Sequence, residues 1–301
     1  MERLRRSLVV ALIGVVCALG VAWWQNDRLV GEFRILGRRG ALAFQVGDAW
    51  VPVESADRRR RSWGPHDAFL APEYDVLESG LELARLPYRR DPVPALYDLL
   101  VVRVDPALWN FRVFGRDDFS RAGVRELAGD ASVTLNASFF AEEGPVGLVL
   151  QDGEVRVPQG SARAAHFLVD PLYGPRVDNR KGASLEGIEQ AVQGFPAIMS
   201  GGETYSYMRY GGRGFPVHEL ARRTAVCVDW EGQVLVVVTD TPLNGLTLNE
   251  LATVMGGLGC EDAMGMDGGS STALHVQAGE RSVTVEDRDG IPVVIRVEHR
   301  I

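Results

Sequence analysis

After residue 96 the apolar positions fall in short, mostly β-branched runs separated by turn residues: 99–104, 111–114, 133–135, 147–150, 167–169, 224–228, 234–239, 273–276 and 292–297. Runs of this length, bounded by Gly, Pro, Asn and Asp, predict strands. A helical period is clearest over 247–258, where Leu248, Leu251, Ala252, Met255 and Leu258 share one face. Thr247 stands at the N-cap with Glu250 three residues on, which completes a capping box, and Gly259 supplies the stop. Glu250 therefore reads as structural before catalytic. The pattern predicts an α+β fold, with a mostly antiparallel or mixed β-sheet core and a few packed helices.

The start of the chain has a different texture. Arg3, Arg5 and Arg6 precede an unbroken apolar or small stretch over 7–24 that ends in Trp23 and Trp24. At about 1.5 Å per residue this stretch reaches roughly 27 Å, close to the hydrocarbon thickness of a bilayer. The flanking charges orient the amino terminus inside and the remainder outside. No small-x-small cleavage site follows, so an uncleaved signal anchor is expected. Over 25–96 no period is sustained: the run Arg58-Arg59-Arg60-Arg61, several prolines and short apolar pieces read as a linker into a small irregular or β subregion. The expected organisation is a transmembrane anchor over 1–24, this connecting region over 25–96, and the main domain over 97–301.

Composition narrows the partners. A chain of 301 residues, 46% hydrophobic and 24% charged, can bury a full core. Its formal charge of −8 argues against a nucleic-acid partner. Lys181 is the only lysine, so almost every cation is an arginine, the side chain best shaped for bidentate contact with phosphate. Beyond the anchor stand Cys227 and Cys260, which either pair or remain buried thiols. There is no Cys-x-x-Cys pattern and no ligand spacing among His166, His218 and His275, so no metal and no cofactor is expected.

The candidate chemistry starts at Ala263-Met264-Gly265-Met266-Asp267-Gly268-Gly269-Ser270-Ser271-Thr272, where an apolar run delivers one carboxylate into a turn of glycines and hydroxyls. Such glycines let a ligand approach the backbone, and the hydroxyls surround Asp267 with donors. The competing reading is a tight turn whose acid bonds only its own backbone. Similar strand ends occur upstream, at Val133-Thr134-Leu135-Asn136-Ala137-Ser138-Phe139-Phe140, Gly194-Phe195-Pro196-Ala197, Arg222-Arg223-Thr224-Ala225 and Val238-Thr239-Asp240. Taken in this order, the segments make the chain from Tyr97 onward resemble the phosphodiester glycosidase family. Ala137 and Ser138 replace the family's glycines after Asn136, Gly265 stands where the family often has Asn, and Ser270 replaces a third glycine. These departures bear on the substrate more than on the fold.

The resemblance implies an extracytoplasmic, membrane-anchored hydrolase that cleaves a sugar from a sugar-1-phosphodiester or a related envelope or extracellular glycan. It sets Asn136, Arg223, Asp240 and Asp267 at family motif positions. Glycosidic cleavage commonly uses two carboxylates, so Asp267 and Asp240 are expected to share acid, base or nucleophile duties if their strands lie side by side. Arg223 is expected to clamp phosphate and Asn136 to orient the substrate, with Gly268, Gly269 and Ser270 forming the substrate-binding turn. Phe139 and Phe140 read as core rather than as a sugar-stacking platform. The alternative is a non-catalytic glycan-binding or envelope-assembly module on the same fold; a third is a glycosidase for a phosphate-free polymer. A serine hydrolase lacks its Gly-x-Ser-x-Gly elbow. Asp287-Arg288-Asp289-Gly290 reads as a hairpin turn rather than a calcium loop, because strand-like runs flank it.

Overall fold

The apolar runs form twenty-two strands and three α-helices in a computed structural model that describes residues 41–53, 62–91, 93–160, 164–179, 183–210, 217–242 and 245–300. In chain order the first strands are β1 (Leu42–Val46), β2 (Ala49–Val53), β3 (Asp75–Glu78), β4 (Leu81–Arg90), β5 (Val93–Val104) and β6 (Trp109–Gly115). Then come β7 (Val133–Asn136), β8 (Phe139–Ala141), β9 (Gly144–Val146), β10 (Val149–Gln151), β11 (Glu154–Val157), β12 (Ala165–Asp170), β13 (Gly174–Asp178) and β14 (Gln190–Gly194). The last are β15 (Ala197–Ser200), β16 (Glu203–Thr204), β17 (Thr224–Asp229), β18 (Val234–Asp240), β19 (Cys260–Gly265), β20 (Leu274–Ala278), β21 (Arg281–Val285) and β22 (Val293–His299). The helices are α1 (Val124–Ala128), α2 (Ser206–Tyr210) and α3 (Leu248–Gly257). The expected anchor over 1–24 lies outside the described residues; among those described, no helix is long and apolar enough to cross a membrane.

A ten-stranded sheet in the order β16-β15-β19-β17-β18-β5-β4-β1-β2, with β3 on β4, divides the molecule. Two five-stranded sheets accompany it, β11-β10-β14-β12-β13 and β21-β20-β7-β22-β6, and β8 and β9 make a separate hairpin. Every registered strand pair is antiparallel. Burial on both faces explains why β18 is apolar from Val234 to Val238. Val234, Val236 and Val238 face one core, shared with both smaller sheets. Leu235 and Val237 face a second core beneath α3. Side chains alternate across a strand, so a strand covered on both faces has no polar positions to offer.

The described residues between 42 and 90, within the region expected as a linker and a small irregular or β subregion, supply four strands to the large sheet, and position 97 falls inside β5. Strand β4 pairs with β5 from Leu81↔Val104 to Arg90↔Val93. Its buried positions Leu81, Leu83, Leu86 and Tyr88 were interrupted in sequence by arginines and Pro87, which hid the alternation. The helix at 248–257 carries the expected capping box, with Glu250 N–H donating to Thr247 Oγ1 at 3.2 Å and Thr247 N–H to Glu250 Oε2 at 3.0 Å. At its other end Gly256 admits the indole of Trp63. A Cβ at that position would stand 2.3 Å from the ring, so any larger residue would expel the 62–70 segment from the helix.

Cys227 and Cys260 form a disulfide between β17 and β19, with Cα atoms 5.8 Å apart. This settles the pairing that the sequence left open. Closing a loop of this sequence separation, 33 residues, removes unfolded-state entropy worth about 4 kcal/mol. The bond ties together the two strands whose opposite ends carry Arg223 and Asp267.

Candidate functional site

Strand order decides what can meet at the sheet edge. Strand β17 lies between β18 and β19, with Thr224 opposite Val238 on one side and Ala225 opposite Gly265 on the other. The chain enters β17 through Arg223 at the same edge where β18 leaves through Asp240 and β19 leaves towards Asp267. Directly opposed residues share a face and successive residues alternate. Arg223 and Asp267 therefore share the face covered by α3, whereas Asp240 follows Val238 onto the other face.

The α3 side of this edge holds a cleft of about 240 Å³. Phe139, Phe195, Pro196, Leu248, Leu251 and Met266 form its apolar wall, and Arg223, Thr224 and Asp267 supply its polar groups. Helix α3 brings Leu248 and Leu251 by its ordinary period, and the β8 strand brings Phe139. Phe139 meets Phe195 edge-on at 6.1 Å, so the aromatic expected as core is a cleft wall instead.

Arg223 is held by its own fold. Its backbone N–H donates to Thr239 Oγ1 at 2.7 Å, its Nε to the Leu246 carbonyl at 2.9 Å and its Nη2 to the Glu219 carbonyl at 2.8 Å. Two main-chain acceptors fix the guanidinium plane without neutralising it, and a guanidinium has five N–H donors. Burial pulls its pKa down to about 10, with the fields of Glu219 and Glu250 acting against that loss. The group is a cation at neutral pH and lines the cleft.

Asp267 is set by an equally dense frame. Its backbone N–H donates to the Ala137 carbonyl at 3.0 Å, and Gly268 N–H donates to its Oδ1 at 2.8 Å. Burial raises the carboxyl pKa, opposed by hydrogen bonds from Ser271 and Gly268. Gly268 is required sterically, since a Cβ there would lie 2.8 Å from the Arg222 carbonyl. Its expected place in the site is the cleft wall. Gly269 and Ser270 lie in the short 3₁₀ turn behind it; Gly269 N–H donates to the Arg222 carbonyl at 2.9 Å, and the Ser270 carbonyl accepts from Arg288 N–H at 2.8 Å. Neither lines the cleft.

Asn136, whose amide suits fixing either a sugar hydroxyl or a catalytic carboxylate, is tied into the acidic turn. It is 1% exposed and does not line the cleft. Its Nδ2 donates to the Asp267 carbonyl at 2.6 Å, while Oδ1 accepts from Thr224 Oγ1 at 2.7 Å and from Ala273 N–H at 2.9 Å. One side chain thus ties β7, the start of β17 and both ends of the acidic turn. It holds the main chain of the acidic turn from outside the cleft lining. The expectation that Asp240 joins Asp267 needs correction. With β17 intervening, the two acids are about 10 Å apart by strand spacing alone, and on opposite faces. Asp240 pairs in register with Asp98, and burial and Asp98 raise its pKa against Arg85 and Arg222.

Sequence reasoning missed Phe195, Pro196, Leu248 and Leu251 as cleft residues, because an apolar side chain has the same signature in a core and in a pocket wall. Thr224 lies within the Arg222–Ala225 motif, where nothing in the sequence separates it from its neighbours. Among the described residues no group of three or more His, Cys, Asp or Glu side chains is arranged to hold a metal ion.

Comparison with known proteins agrees with this architecture. The chain is similar to the catalytic domain of zebrafish N-acetylglucosamine-1-phosphodiester alpha-N-acetylglucosaminidase, a structure auto-inhibited by its pro-peptide, with 17% identity over 89% of this chain and 93% of that one and a TM-score of 0.61. A hypothetical protein from Synechocystis aligns at 16% identity over 76% of this chain and 64% of its own, with a TM-score of 0.54. A Burkholderia pseudomallei protein described as exported aligns at 14% identity over 71% and 77%, with a TM-score of 0.51. At these identities the structures establish a shared fold. No curated protein sequence matches. The phosphodiester glycosidase family model matches residues 129–295, more than half of the chain and the part that carries Asn136, Arg223 and Asp267. The chain belongs to the phosphodiester glycosidase family.

Proposed function

We propose that this protein is an extracytoplasmic glycoside hydrolase that releases a sugar from a sugar-1-phosphodiester or a related envelope glycan. The observation that carries the reading is the meeting of Arg223 and Asp267 in one largely apolar cleft. Arg223 holds the phosphate oxygens, where a cation in a dry site is worth most. Asp267, kept protonated more readily by burial, donates its proton to the bridging oxygen as the bond to the anomeric carbon breaks. Water attacks that carbon, and the resulting carboxylate takes up the water proton. Phosphate is already a good leaving group, so one positioned acid and one cation carry much of the barrier lowering. Asn136 keeps the acid in place.

Two observations support an extracytoplasmic location. Disulfides such as Cys227–Cys260 persist chiefly in oxidising compartments. The basic and apolar start of the sequence over 1–24 has the composition of a signal anchor, which would hold the domain at the membrane. The test of the activity is release of free sugar from a synthetic sugar-1-phosphodiester. Full turnover by a folded Asp267→Asn protein sinks the assignment.

One observation favours a second reading, a glycan-binding module without turnover: Asp267 is the one carboxylate lining the cleft among the described residues. Saturable binding of a sugar-1-phosphodiester with no product after prolonged incubation would select it.

A further inference from the structure

A second cleft, of about 340 Å³, lies away from the Asp267 edge. Its floor is the Trp109 end of β6, and one wall is the β12–β13 hairpin, whose residues Asp170, Pro171, Gly174 and Pro175 line it. Strand β22 runs between the two sites, with Val294 opposite Asn136 and His299 opposite Trp109. The five steps between these positions separate the sites by about 17 Å along the strand.

The tip of that hairpin breaks the usual rule for apolar side chains. Leu172 and Tyr173 are each 84% exposed, the most exposed large hydrophobic residues among those described. The tip is nonetheless ordered by its own bonds: Asp170 Oδ1 accepts from Leu172 N–H at 2.9 Å and from Tyr173 N–H at 3.2 Å. An aromatic side chain with few rotatable bonds, carried on a fixed backbone, loses little entropy on meeting a ligand. The cleft beside it is polar and equally preset. Arg112 forks onto Asp152 at 3.2 and 3.0 Å, and Gln190 Nε2 donates to the same carboxylate at 2.7 Å.

The charge of this cleft distinguishes it from the first. Arg112 and Arg300 face four carboxylates, Asp152, Asp170, Glu189 and Glu298. An excess of carboxylates repels phosphate and other polyanions, whereas fixed acceptors beside fixed guanidinium donors match the hydroxyls of a neutral sugar. A tyrosine ring offers the apolar surface that the C–H face of a pyranose needs. We propose that this cleft and the Tyr173 tip form a second carbohydrate-binding surface, which takes a neutral stretch of glycan away from the hydrolytic cleft. It anchors polymer without chemistry, and it stands whether or not the Asp267 cleft turns over.

The test is affinity electrophoresis of the full chain through gels containing dextran, hydroxyethylcellulose, galactomannan or soluble xylan. Retardation is expected in at least one, with the apparent Kd raised about tenfold in Tyr173→Ala and in Glu189→Gln, the loss of roughly one good contact. Release of sugar from a small sugar-1-phosphodiester should be unchanged in both variants. Asp267→Asn should migrate with the same retardation as the unsubstituted chain, which separates this surface from the hydrolytic assignment. Four gels without retardation, equal retardation of Tyr173→Ala, or retention on polylysine alone would overturn the proposal; the last outcome would mark an acidic docking face for a basic peptide.

Discussion

Arg90 and Arg223 both lie beneath helix α3, feel the same Glu250, and have opposite fates. Arg90 is 0% exposed and forks onto Glu250, with Nη1 to Oε1 and Nη2 to Oε2 both at 2.7 Å. Its charge is cancelled inside the fold, and the carboxylate that cancels it also caps α3. Among the described residues the Arg223 guanidinium hydrogen-bonds main-chain carbonyls alone, so its orientation is fixed and its charge remains available at the cleft. The two sites show that an arginine's role follows from what neutralises it, and that one buried acid can organise a helix while leaving a neighbouring cation for a ligand.

This contrast can be broken at several points. The largest effect is expected at the acid: Asp267→Asn should lower kcat for sugar release by about 10²–10⁴, the range of a positioned acid or base. Next, Arg223→Ala should lower kcat/KM on a phosphodiester by about 10²–10³ while leaving a phosphate-free glycoside nearly unaffected. An equal loss on both substrates would mean that Arg223 shapes the cleft rather than holding phosphate. Arg90→Ala should act on the fold instead, costing about 3–5 kcal/mol in urea unfolding because the buried Glu250 carboxylate loses its bidentate guanidinium partner. If Arg90→Ala abolished turnover in molecules that remained folded, the division between the two arginines would fail.

A pH experiment sharpens the comparison further. Burial raises the Asp267 carboxyl above its ordinary value of 3.8, so the folded chain holds this proton more tightly than the unfolded chain. The stability it contributes is complete below the unfolded pKa and is lost as pH rises through the folded one. Unfolding free energy of the unsubstituted chain should therefore fall relative to Asp267→Asn as pH climbs from about 4, the unperturbed range. Sugar release should decline over the same interval as the acid loses its proton. The smallest effect is expected at the acid on the other face: Asp240→Asn should stay within about twofold in kcat, the scale of a substitution away from the chemistry. A loss like that of Asp267→Asn would place both acids in one mechanism despite the intervening strand.

Much of the scaffold was legible locally. The valines of β18, the capped period of α3 and the carboxylate leaving β19 are written in consecutive residues, because strand alternation, helix period and capping act over a few positions. The early strands were harder, since β4 mixes buried leucines with arginines and Pro87 and acquires its identity only by pairing with β5. Motif order picked out Arg223, Gly268 and Asp267, which the fold brings to one cleft, but it could not tell that Asn136 faces inward to three partners. Nor could it tell the wall residues Phe195, Leu248 and Leu251 from core.

The amino-acid order by itself determined the strand-rich architecture, the α3 helix with its cap, and the acidic turn, each a consequence of short-range stereochemistry. Tertiary structure alone decided that β17 separates β18 from β19, that Asp240 and Asp267 occupy opposite faces, that Cys227 bonds Cys260, and that one arginine is neutralised while another is not. Those outcomes depend on which distant segments lie side by side, and a sheet's strand order is set by the joint burial of all its members, which no single segment encodes.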